Sequence, residues 1–592
     1  MAPIKKVIGK DYEVVVIGGG MSGVCVAIAS ARHGARTALI QNRPVLGGNA
    51  SSEIRMHICG ADASGRRPDG RETGILEELC LENKKRNPTH CFSIWDAILW
   101  EKTQYQERLD LYLNTHFTNV DMEYDKIIKV HVDQLTTEKK FVISGKIFID
   151  ATGDGTLGYL SGADYMIGRE GKNVFGEMYA PDKSDHYTMG STLMFKAVDA
   201  GEPMPFEKPV WADTYTEKEL CYRDHTEITS GYWWIELGGG DLSTIDDAEK
   251  IRDELLKAVY GVWDHIKNGG DHGADNYVLD WVQFLPGKRE SRRLRGDYVL
   301  IEPDVLAGRI FDDAVTYGGW PMDMHNLDGL RKTGEHPTVF YRFDDVYTIP
   351  YRCLYSRNVK NLMLAGRAIS VSHMAFGSSR DMGTTSVVGQ AVGTASAMMI
   401  EKNLLPRELS THIKELQQKL LKDDCYIPGY KNEDNADLAR SANISCSSYT
   451  HGNQCENVIN GIARRTKNAS NCWVSEPISK DGEWIKLEFG RRVALKEILL
   501  FMDSNLSKPI TVTLSERKMS TEYKRLPHEL IKHFMLEFLL DGVCVDYKEV
   551  RDNHFRYVKI TPGTNVTCDS VKLTAFSTHG DAHARIFEIR AY

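Results

Sequence analysis

The stretch EVVVIGGGMSGVCVAIASARHG, residues 13–34, decides the fold of the first domain. Its opening β-branched run, EVVVI, is typical of a strand buried on both faces. The residues after the glycines place apolar side chains at helical spacing, and Gly34 ends the helix. ARTALIQ at 35–41 then predicts a second parallel strand. Together these segments predict a βαβ unit, the mononucleotide-binding half of an α/β domain.

The six residues between strand and helix, Gly18-Gly19-Gly20-Met21-Ser22-Gly23, fit the pattern GxGxxG. Gly18 permits a tight turn, Gly20 lets a pyrophosphate approach the backbone, and Gly23 lets the helix pack closely on the strand. The helix N-terminus adds N–H donors and a partial positive charge. We therefore predict that a dinucleotide binds at Gly18, Gly20, Met21, Ser22 and Gly23.

The end of the second strand departs from the usual pattern of such sites. An acidic residue usually accepts the ribose hydroxyls there, whereas this chain has Gln41, whose amide forms a neutral hydrogen bond. The following loop, RPVLGGN at 43–49, has a second glycine pair suited to a second phosphate contact, as a flavin nucleotide requires. Further cofactor contacts are therefore expected at Gln41, Asn42, Arg43, Gly47, Gly48 and Asn49.

Four segments together resemble the FAD-dependent oxidoreductase family, which has the glutathione-reductase type of flavoprotein fold. They are GGGMSG (18–23), RPVLGGNASSEIRM (43–56), FIDATGDGTLG (148–158) and NLMLAGRAISVSHMAFGSSRDMGTTSVVGQAVGTA (361–395). The resemblance implies FAD as the cofactor, with further contacts at Ala151, Gly153, Asp154, Gly366, Arg367, Asp381, Met382 and Gly383. A helix that begins near Asp381 would direct N–H groups at the flavin N1–C2=O and stabilise reduced flavin.

Flavin-dependent oxidation of an alcohol needs a base that takes the proton while hydride moves to N5. His373, just before the predicted flavin-capping helix, is the preferred base, and His57 is the alternative. Arg55 could clamp an anionic group or polarise a carbonyl, and Arg380 could contact flavin or substrate. These four residues are the first set of catalytic candidates.

The segment WPMDMH, residues 320–325, suits a polyol substrate, because a ring can stack on a sugar and acceptors can bind its hydroxyls. Asp323 and His325 are therefore further catalytic candidates. Two ligands at alternate positions are too few for a metal site, so no metal is predicted. Arg289, in the segment KRESRR at 288–293, could also reach the site.

At 592 residues the chain is too long for one hydrophobic core. The predicted fold class is α/β: a Rossmann-type FAD-binding domain with an inserted α+β substrate domain, plus a C-terminal all-β sandwich. The predicted boundaries are 1–185 and 346–425 for the FAD-binding domain, 186–345 for the insertion and 426–592 for the sandwich. The tail resembles discoidin-like (factor 5/8 type C) modules through ARSANISCSSYTHG, GEWIKLEFGRRVALKEILLF and HARIFEIRAY.

The net charge of −9, without a basic run, gives no support to nucleic-acid binding. No segment has the pattern of a signal peptide or a membrane span, so a cytoplasmic location is expected. The favoured function is an FAD-dependent dehydrogenase that moves a hydride between a polar hydroxyl-bearing small molecule, such as a sugar or glycoside, and flavin N5. The alternatives are a flavin-dependent reductase of an unsaturated acid or ketone, or a carbohydrate-binding protein with a vestigial flavin fold. The oligomeric state is left open.

Overall fold

A computed structural model describes residues 7–61, 67–564 and 566–592. The chain divides into two compact units, and neither is a single continuous segment. The first unit comprises Met1–Gly60, Thr89–Ile413 and Val512–Thr521. The second comprises Ala61–Pro88, Lys414–Thr511 and Glu522–Tyr592.

A parallel sheet of five strands carries the Gly-rich loop of the first unit. In spatial order its strands are Leu362–Leu364, Ile147–Asp150, Val14–Ile17, Thr37–Ile40 and Leu109–Tyr112. All but the last are buried along their whole length, as the β-branched run of residues 13–17 predicted. Ile17 pairs with both Ile40 and Asp150, so the carboxyl ends of these strands meet at one edge of the sheet.

A second sheet of the first unit has four strands. Its order is Val7–Asp11, Lys139–Ser144, Lys126–Gln134 and Thr115–Glu123. The first pair is parallel and the others are antiparallel. The next strand along the chain, Ile147–Asp150, belongs to the parallel sheet of five strands.

Two helices rich in small residues pack closely and hold the Gly-rich loop in place. They are Met21–Arg32 and Met382–Lys402. A Cβ atom on Gly389 would lie 2.3 Å from the carbonyl oxygen of Ser22. A Cβ atom on Gly393 would lie 2.3 Å from the carbonyl oxygen of Val26. Only glycine allows so close an approach, so the second helix fixes the position of the first turn of the first.

The region 186–345 contains short strands around one long amphipathic helix, Ala248–Asn268. The helix buries one apolar face against the aromatic residues Tyr232 and Trp234. The strand Glu236–Leu237 follows directly after them. The separation of 186–345 as a domain stays a prediction.

The remaining elements of the first unit are short. The helices are Phe92–Gln104, Thr156–Leu160, Lys172–Phe175, Glu217–Leu220, Glu302–Leu306, His373–Ser379 and Glu516–Thr521. The strands are Tyr165–Met166, Ser191–Thr192, Phe195–Asp199, Tyr277–Val282, Gly287–Lys288, Arg293–Leu294, Ala314–Gly318, Met322–His325, Thr338–Tyr341 and Tyr347–Pro350.

The second unit contains two antiparallel sheets, so the expected all-β C-terminal region is confirmed. The five-stranded sheet has the order Asn443–Cys446, Glu483–Ala494, Thr567–Thr578, Ile531–Leu540 and Val543–Val550. The four-stranded sheet has the order Trp473–Pro477, His583–Ala591, Ile498–Met502 and Tyr557–Ile560. The helix Ile413–Lys422 precedes these strands.

The segment Ala61–Pro88, with its helix Ile75–Arg86, groups with the sandwich. Asp69 forms an ion pair with Arg465 at 2.9 Å, and Arg71 Nη2 donates to Ser504 O at 3.1 Å. Sequence alone placed this segment in a continuous 1–185 domain, because its helical periodicity carries no information about its packing partner. The other domain boundaries stay predictions.

Candidate active site

A cavity of about 750 Å³ in the first unit lies at the carboxyl ends of the parallel strands. Its wall includes residues that follow the strands ending at Ile17, Ile40, Asp150 and Leu364. This edge of an open α/β sheet is where such folds bind ligands. All predicted cofactor residues except Gly23 and Gly383 line the cavity.

The Gly-rich loop needs its glycines for two different reasons. Gly18 has φ +106°, and a Cβ there would lie 2.2 Å from Ala151 O. A Cβ on Gly23 would lie 1.9 Å from Gly18 O, so Gly23 serves the packing of helix on strand rather than the cavity wall. Gly20 has nothing within 4 Å of its Cβ position and opens directly onto the cavity. The space at Gly20 is therefore left for a ligand.

Buried polar atoms without a partner also face this cavity. Within the described residues, Ser22 Oγ and Arg367 Nε have no hydrogen-bond partner, and both residues line the cavity. An unsatisfied buried donor costs free energy unless a ligand accepts from it. A hydroxyl at a helix N-terminus and a guanidinium fit a dinucleotide phosphate. The open space and the donors together fit FAD.

Gln41 links the two glycine loops rather than presenting a free amide. Its Oε1 accepts from Gly19 N at 2.9 Å, and its Nε2 donates to Val45 O at 3.1 Å. Gln41 lines the cavity while its amide connects the two loops, and the ribose contact stays a prediction. Asn42 and Arg43 remain on the wall, with Arg43 Nε 3.0 Å from Glu53 Oε2.

Asp154 anchors the turn that follows the strand Ile147–Asp150. Its carboxylate accepts from Lys288 Nζ at 2.8 Å and from Ser291 Oγ at 2.9 Å. Burial favours the neutral acid, but Lys288 and Arg367 hold the pKa of Asp154 below its ordinary value. Asp154 thus orients two cationic side chains of the wall.

The first turn of the helix Met382–Lys402 only partly faces the cavity. Asp381 and Met382 line the cavity, whereas Gly383 N donates to Cys59 O at 2.7 Å. The Gly383 N–H group is thus engaged within the protein, and a contact of Gly383 with the cofactor stays a prediction.

A buried chain of charged groups lies at another part of the wall. Arg289 Nη1 is 3.3 Å from Glu236 Oε2, and the same oxygen is 2.6 Å from His325 Nδ1. His325 Nε2 and Arg380 Nη2 lie 3.1 Å and 3.0 Å from Asp323 Oδ2. Both ring nitrogens of His325 face carboxylates, and a histidine donates from both only as imidazolium. Both nitrogens of His325 are thus engaged by carboxylates of the protein.

The two carboxylates of this charged group, Glu236 and Asp323, are held ionised. Burial favours the neutral form of Glu236, but Arg289 and His325 keep its pKa below the ordinary value. Burial acts in the same sense on Asp323, and His325 and Arg380 overcome it and lower the pKa. Asp323 is thus an acceptor for hydrogen bonds and a poor acceptor for protons.

A family model described as FAD dependent oxidoreductase matches residues 13–420. The chain belongs to this family. FAD is the cofactor of this oxidoreductase, and the cradle at Gly20, Ser22 and Arg367 is the part of the cavity that fits it.

Three solved structures similar to this oxidoreductase match its C-terminal region. The lectin domain of lectinolysin, complexed with Lewis B antigen, is 12% identical; the match covers 27% of this chain and 97% of that one, with a TM-score of 0.21. The fucose-binding module SpX-3 of Streptococcus pneumoniae is 9% identical, with coverages of 26% and 96% and a TM-score of 0.20. The family 32 CBM of C. perfringens NanJ, in complex with galactose, is 14% identical, with coverages of 26% and 96% and a TM-score of 0.20.

Of the catalytic candidates, His57 has the surroundings of an available base. It lines the cavity, and no hydrogen bond joins its ring to another residue that the structure describes. Burial and, to a smaller extent, the charge of Lys518 lower the pKa of His57 to about 3. The imidazole is therefore neutral at physiological pH.

His373 and Arg55 do not line the cavity of the oxidoreductase, and their catalytic roles stay predictions. His373 is buried, and its Nδ1 lies 3.0 Å from Glu290 Oε1. Burial alone would raise the pKa of Glu290, but His373 and Arg293 hold it below its ordinary value. Arg55 has φ +62° and stacks on Trp281, 4.3 Å from the ring centroid. Both side chains are thus engaged by other residues of the protein.

Some site residues were missed from the sequence. Glu236 was not singled out, although its carboxylate holds His325 and Arg289. Trp233, whose ring meets His325 edge-on at 5.6 Å, and Lys518 also line the cavity. No local spacing links these residues, because Lys518 lies more than 280 positions beyond Trp233 and Glu236. The described part of the chain contains no helix that is long and apolar enough to span a membrane.

Proposed function

We propose that this oxidoreductase dehydrogenates a polar, hydroxyl-bearing small molecule, with a sugar or glycoside as the favoured class. In the reaction, the C–H bond of the carbinol carbon breaks as hydride, the O–H bond breaks as a proton, and a C=O bond forms. Bound FAD supplies the hydride acceptor at N5. The chain supplies the proton acceptor and the contacts that orient the hydroxyl group.

The observation that carries the proposal is the position of the His57 ring, which lies on the wall of the cavity that contains the cofactor cradle and has no hydrogen bond to a residue that the structure describes. A general base must hold a free lone pair within reach of the substrate proton. Among the candidates, both ring nitrogens of His325 are engaged by carboxylates, and the Asp323 carboxylate is engaged by His325 and Arg380. His57 is therefore the proposed base.

A polyol substrate also requires recognition of several hydroxyl groups. The buried charged side chains on the cavity wall support this recognition. Asp323 offers carboxylate oxygens to hydroxyl donors, while Arg380 offers N–H groups to hydroxyl acceptors. The rings of Trp233 and Trp320 line the same cavity and give an apolar face for a sugar ring.

The test is anaerobic mixing of the FAD-loaded protein with a panel of glycosides and simple alcohols. A substrate is expected to bleach the oxidised flavin absorbance, and His57→Gln is expected to slow bleaching by ~10²–10⁴-fold with FAD still bound. His131→Gln, on the strand Lys126–Gln134, is the matched control and should bleach at the wild-type rate. Absence of bleaching with every hydroxyl compound, or an unchanged rate in His57→Gln, contradicts the proposal.

A second candidate function is reduction of an unsaturated acid or ketone. It is favoured by two buried donors, Arg380 Nε and Trp320 Nε1, that have no partner among the described residues although both residues line the cavity. Such donors suit the oxygens of a carboxylate or carbonyl. Rapid reoxidation of chemically reduced protein by enoates or keto acids, without bleaching by alcohols, would favour this function over the first.

A further inference from the structure

Four side chains of metal-binding type meet in the first unit at residues that the cavity does not include. They are Glu217, His225, His265 and His272, and one potential ligand atom from each lies within 4.8 Å of all the others. The Nε2 atoms of His225, His265 and His272 lie 3.4, 3.1 and 3.9 Å from Glu217 Oε2. We propose that these four residues bind one Zn²⁺ ion.

The hydrogen bond from His225 Nδ1 to a backbone carbonyl leaves the lone pair of the neutral ring on Nε2, where a cation can bind. Its Nδ1 lies 2.6 Å from Arg223 O, and a carbonyl oxygen only accepts, so Nδ1 carries the hydrogen. In the neutral ring Nε2 is then an acceptor, and it faces another acceptor, the Glu217 carboxylate, at 3.4 Å. Two acceptors at this distance repel unless a cation lies between them. A backbone carbonyl on the outer nitrogen is the usual support of a metal-bound histidine.

A second observation comes from unsatisfied buried atoms. His272 Nε2 is buried and has no hydrogen-bond partner among the described residues, although it is directed at the other three groups. His265 is 2% exposed, and its Nε2 lies 3.1 Å from Glu217 Oε2. The rings of His265 and His272 have centroids 4.9 Å apart. A metal ion would satisfy the orphaned nitrogen and draw the rings together.

The donor set selects the metal. Three imidazoles and one carboxylate suit Zn²⁺, whereas Ca²⁺ and Mg²⁺ prefer oxygen ligands. With Zn–N bonds of about 2.0–2.1 Å, the ligand atoms of a tetrahedral site lie about 3.3 Å apart. The 3.1–3.9 Å separations around Glu217 Oε2 bracket this value. Four protein ligands leave no open position, which is typical of a structural site.

The ion would fasten three segments that support the active-site wall. Glu217 begins a short helix, His265 lies in the last turn of Ala248–Asn268, and His272 follows in the next loop. Two residues between Glu217 and His225 in the sequence connect this segment to the rest of the unit. Arg223 Nη2 donates to Gly329 O at 3.0 Å, and Asp224 O accepts from Trp234 Nε1 at 2.8 Å. In the sequence, Trp234 directly follows the wall residue Trp233 and precedes Glu236 by two positions. The site therefore stabilises the local fold and does not depend on the identity of the substrate.

The test is the metal content of the FAD-loaded protein, purified with Zn²⁺ supplied and measured by elemental mass spectrometry. One zinc atom per chain is expected in the wild type and in the control His131→Ala, and background zinc in His265→Ala and Glu217→Gln. Chelation should lower the Tm of the wild type and leave that of a folded His265→Ala unchanged.

Uptake of Co²⁺ by metal-depleted wild type, read from the visible bands of a tetrahedral complex, keeps the proposal testable if the variants fail to fold. Wild-type protein that takes up neither Zn²⁺ nor Co²⁺ overturns the proposal. Full zinc content in folded His265→Ala overturns it as well.

Discussion

Gly20→Ala should separate the stability of the protein from its affinity for FAD. The Cβ position of Gly20 has no atom within 4 Å, and its φ of −65° is accessible to alanine. In the FAD-free protein the substitution removes a little entropy from the unfolded chain and weakens an N-terminal helix cap, and both effects are below about 1 kcal/mol. The free energy of unfolding should therefore change by no more than ~0.5 kcal/mol.

The same methyl group enters the space that the cofactor cradle leaves for a ligand. Overpacking of this kind costs about 1–3 kcal/mol, which weakens FAD binding by ~5- to 150-fold. Affinity is measured by fluorescence titration of the FAD-free protein, and stability by chemical denaturation without FAD. Gly9→Ala is the matched control, since its Cβ is also free of contacts but lies on an exposed strand. Unchanged FAD affinity in Gly20→Ala would refute the assignment of the cradle.

Three further perturbations test other parts of the structure. Gly389→Ala should destabilise the FAD-free protein by about 1–3 kcal/mol in chemical denaturation, because its Cβ would lie 2.3 Å from Ser22 O; equal stability would contradict the close helix packing. Since burial lowers the pKa of His57 to about 3, its imidazole stays neutral as the pH falls, so kcat/KM should show no acid limb from this group between about pH 5 and 8. A limb near pH 6.5 that disappears in His57→Gln would contradict that value. Asp323→Ala leaves Arg380 and His325 without their carboxylate and should cost about 3–5 kcal/mol in the same denaturation assay, whereas a cost below about 1 kcal/mol would show that the pair is solvated.

The sequence was most informative where local pattern and local function coincide. The strand at Val14–Ile17, the helix after it and the glycine positions follow from periodicity and backbone sterics, and the structure has them as expected. The cavity wall could be outlined for the same reason, because loops after neighbouring parallel strands converge at one edge.

The side-chain environments could not be predicted in this way. His373 was preferred as a base from its position before a helix, but its ion pair with Glu290 depends on a residue more than eighty positions away. The ligands of the proposed zinc site are similarly separated along the chain, and only the packing of Ala248–Asn268 brings His265 to Glu217. Burial and charge pairing of this kind arise from tertiary contacts that no local spacing encodes.

The interleaving of the two units along the chain has a consequence for any attempt to isolate one of them. The polypeptide passes between the units five times, at 60/61, 88/89, 413/414, 511/512 and 521/522. A protein shortened to its first 425 residues would keep the helix Ile75–Arg86 but lose the sandwich with which it groups, and would also lose Lys518 from the cavity wall. Neither unit is encoded by one continuous segment, so a cut at any single position of the chain leaves at least one unit incomplete.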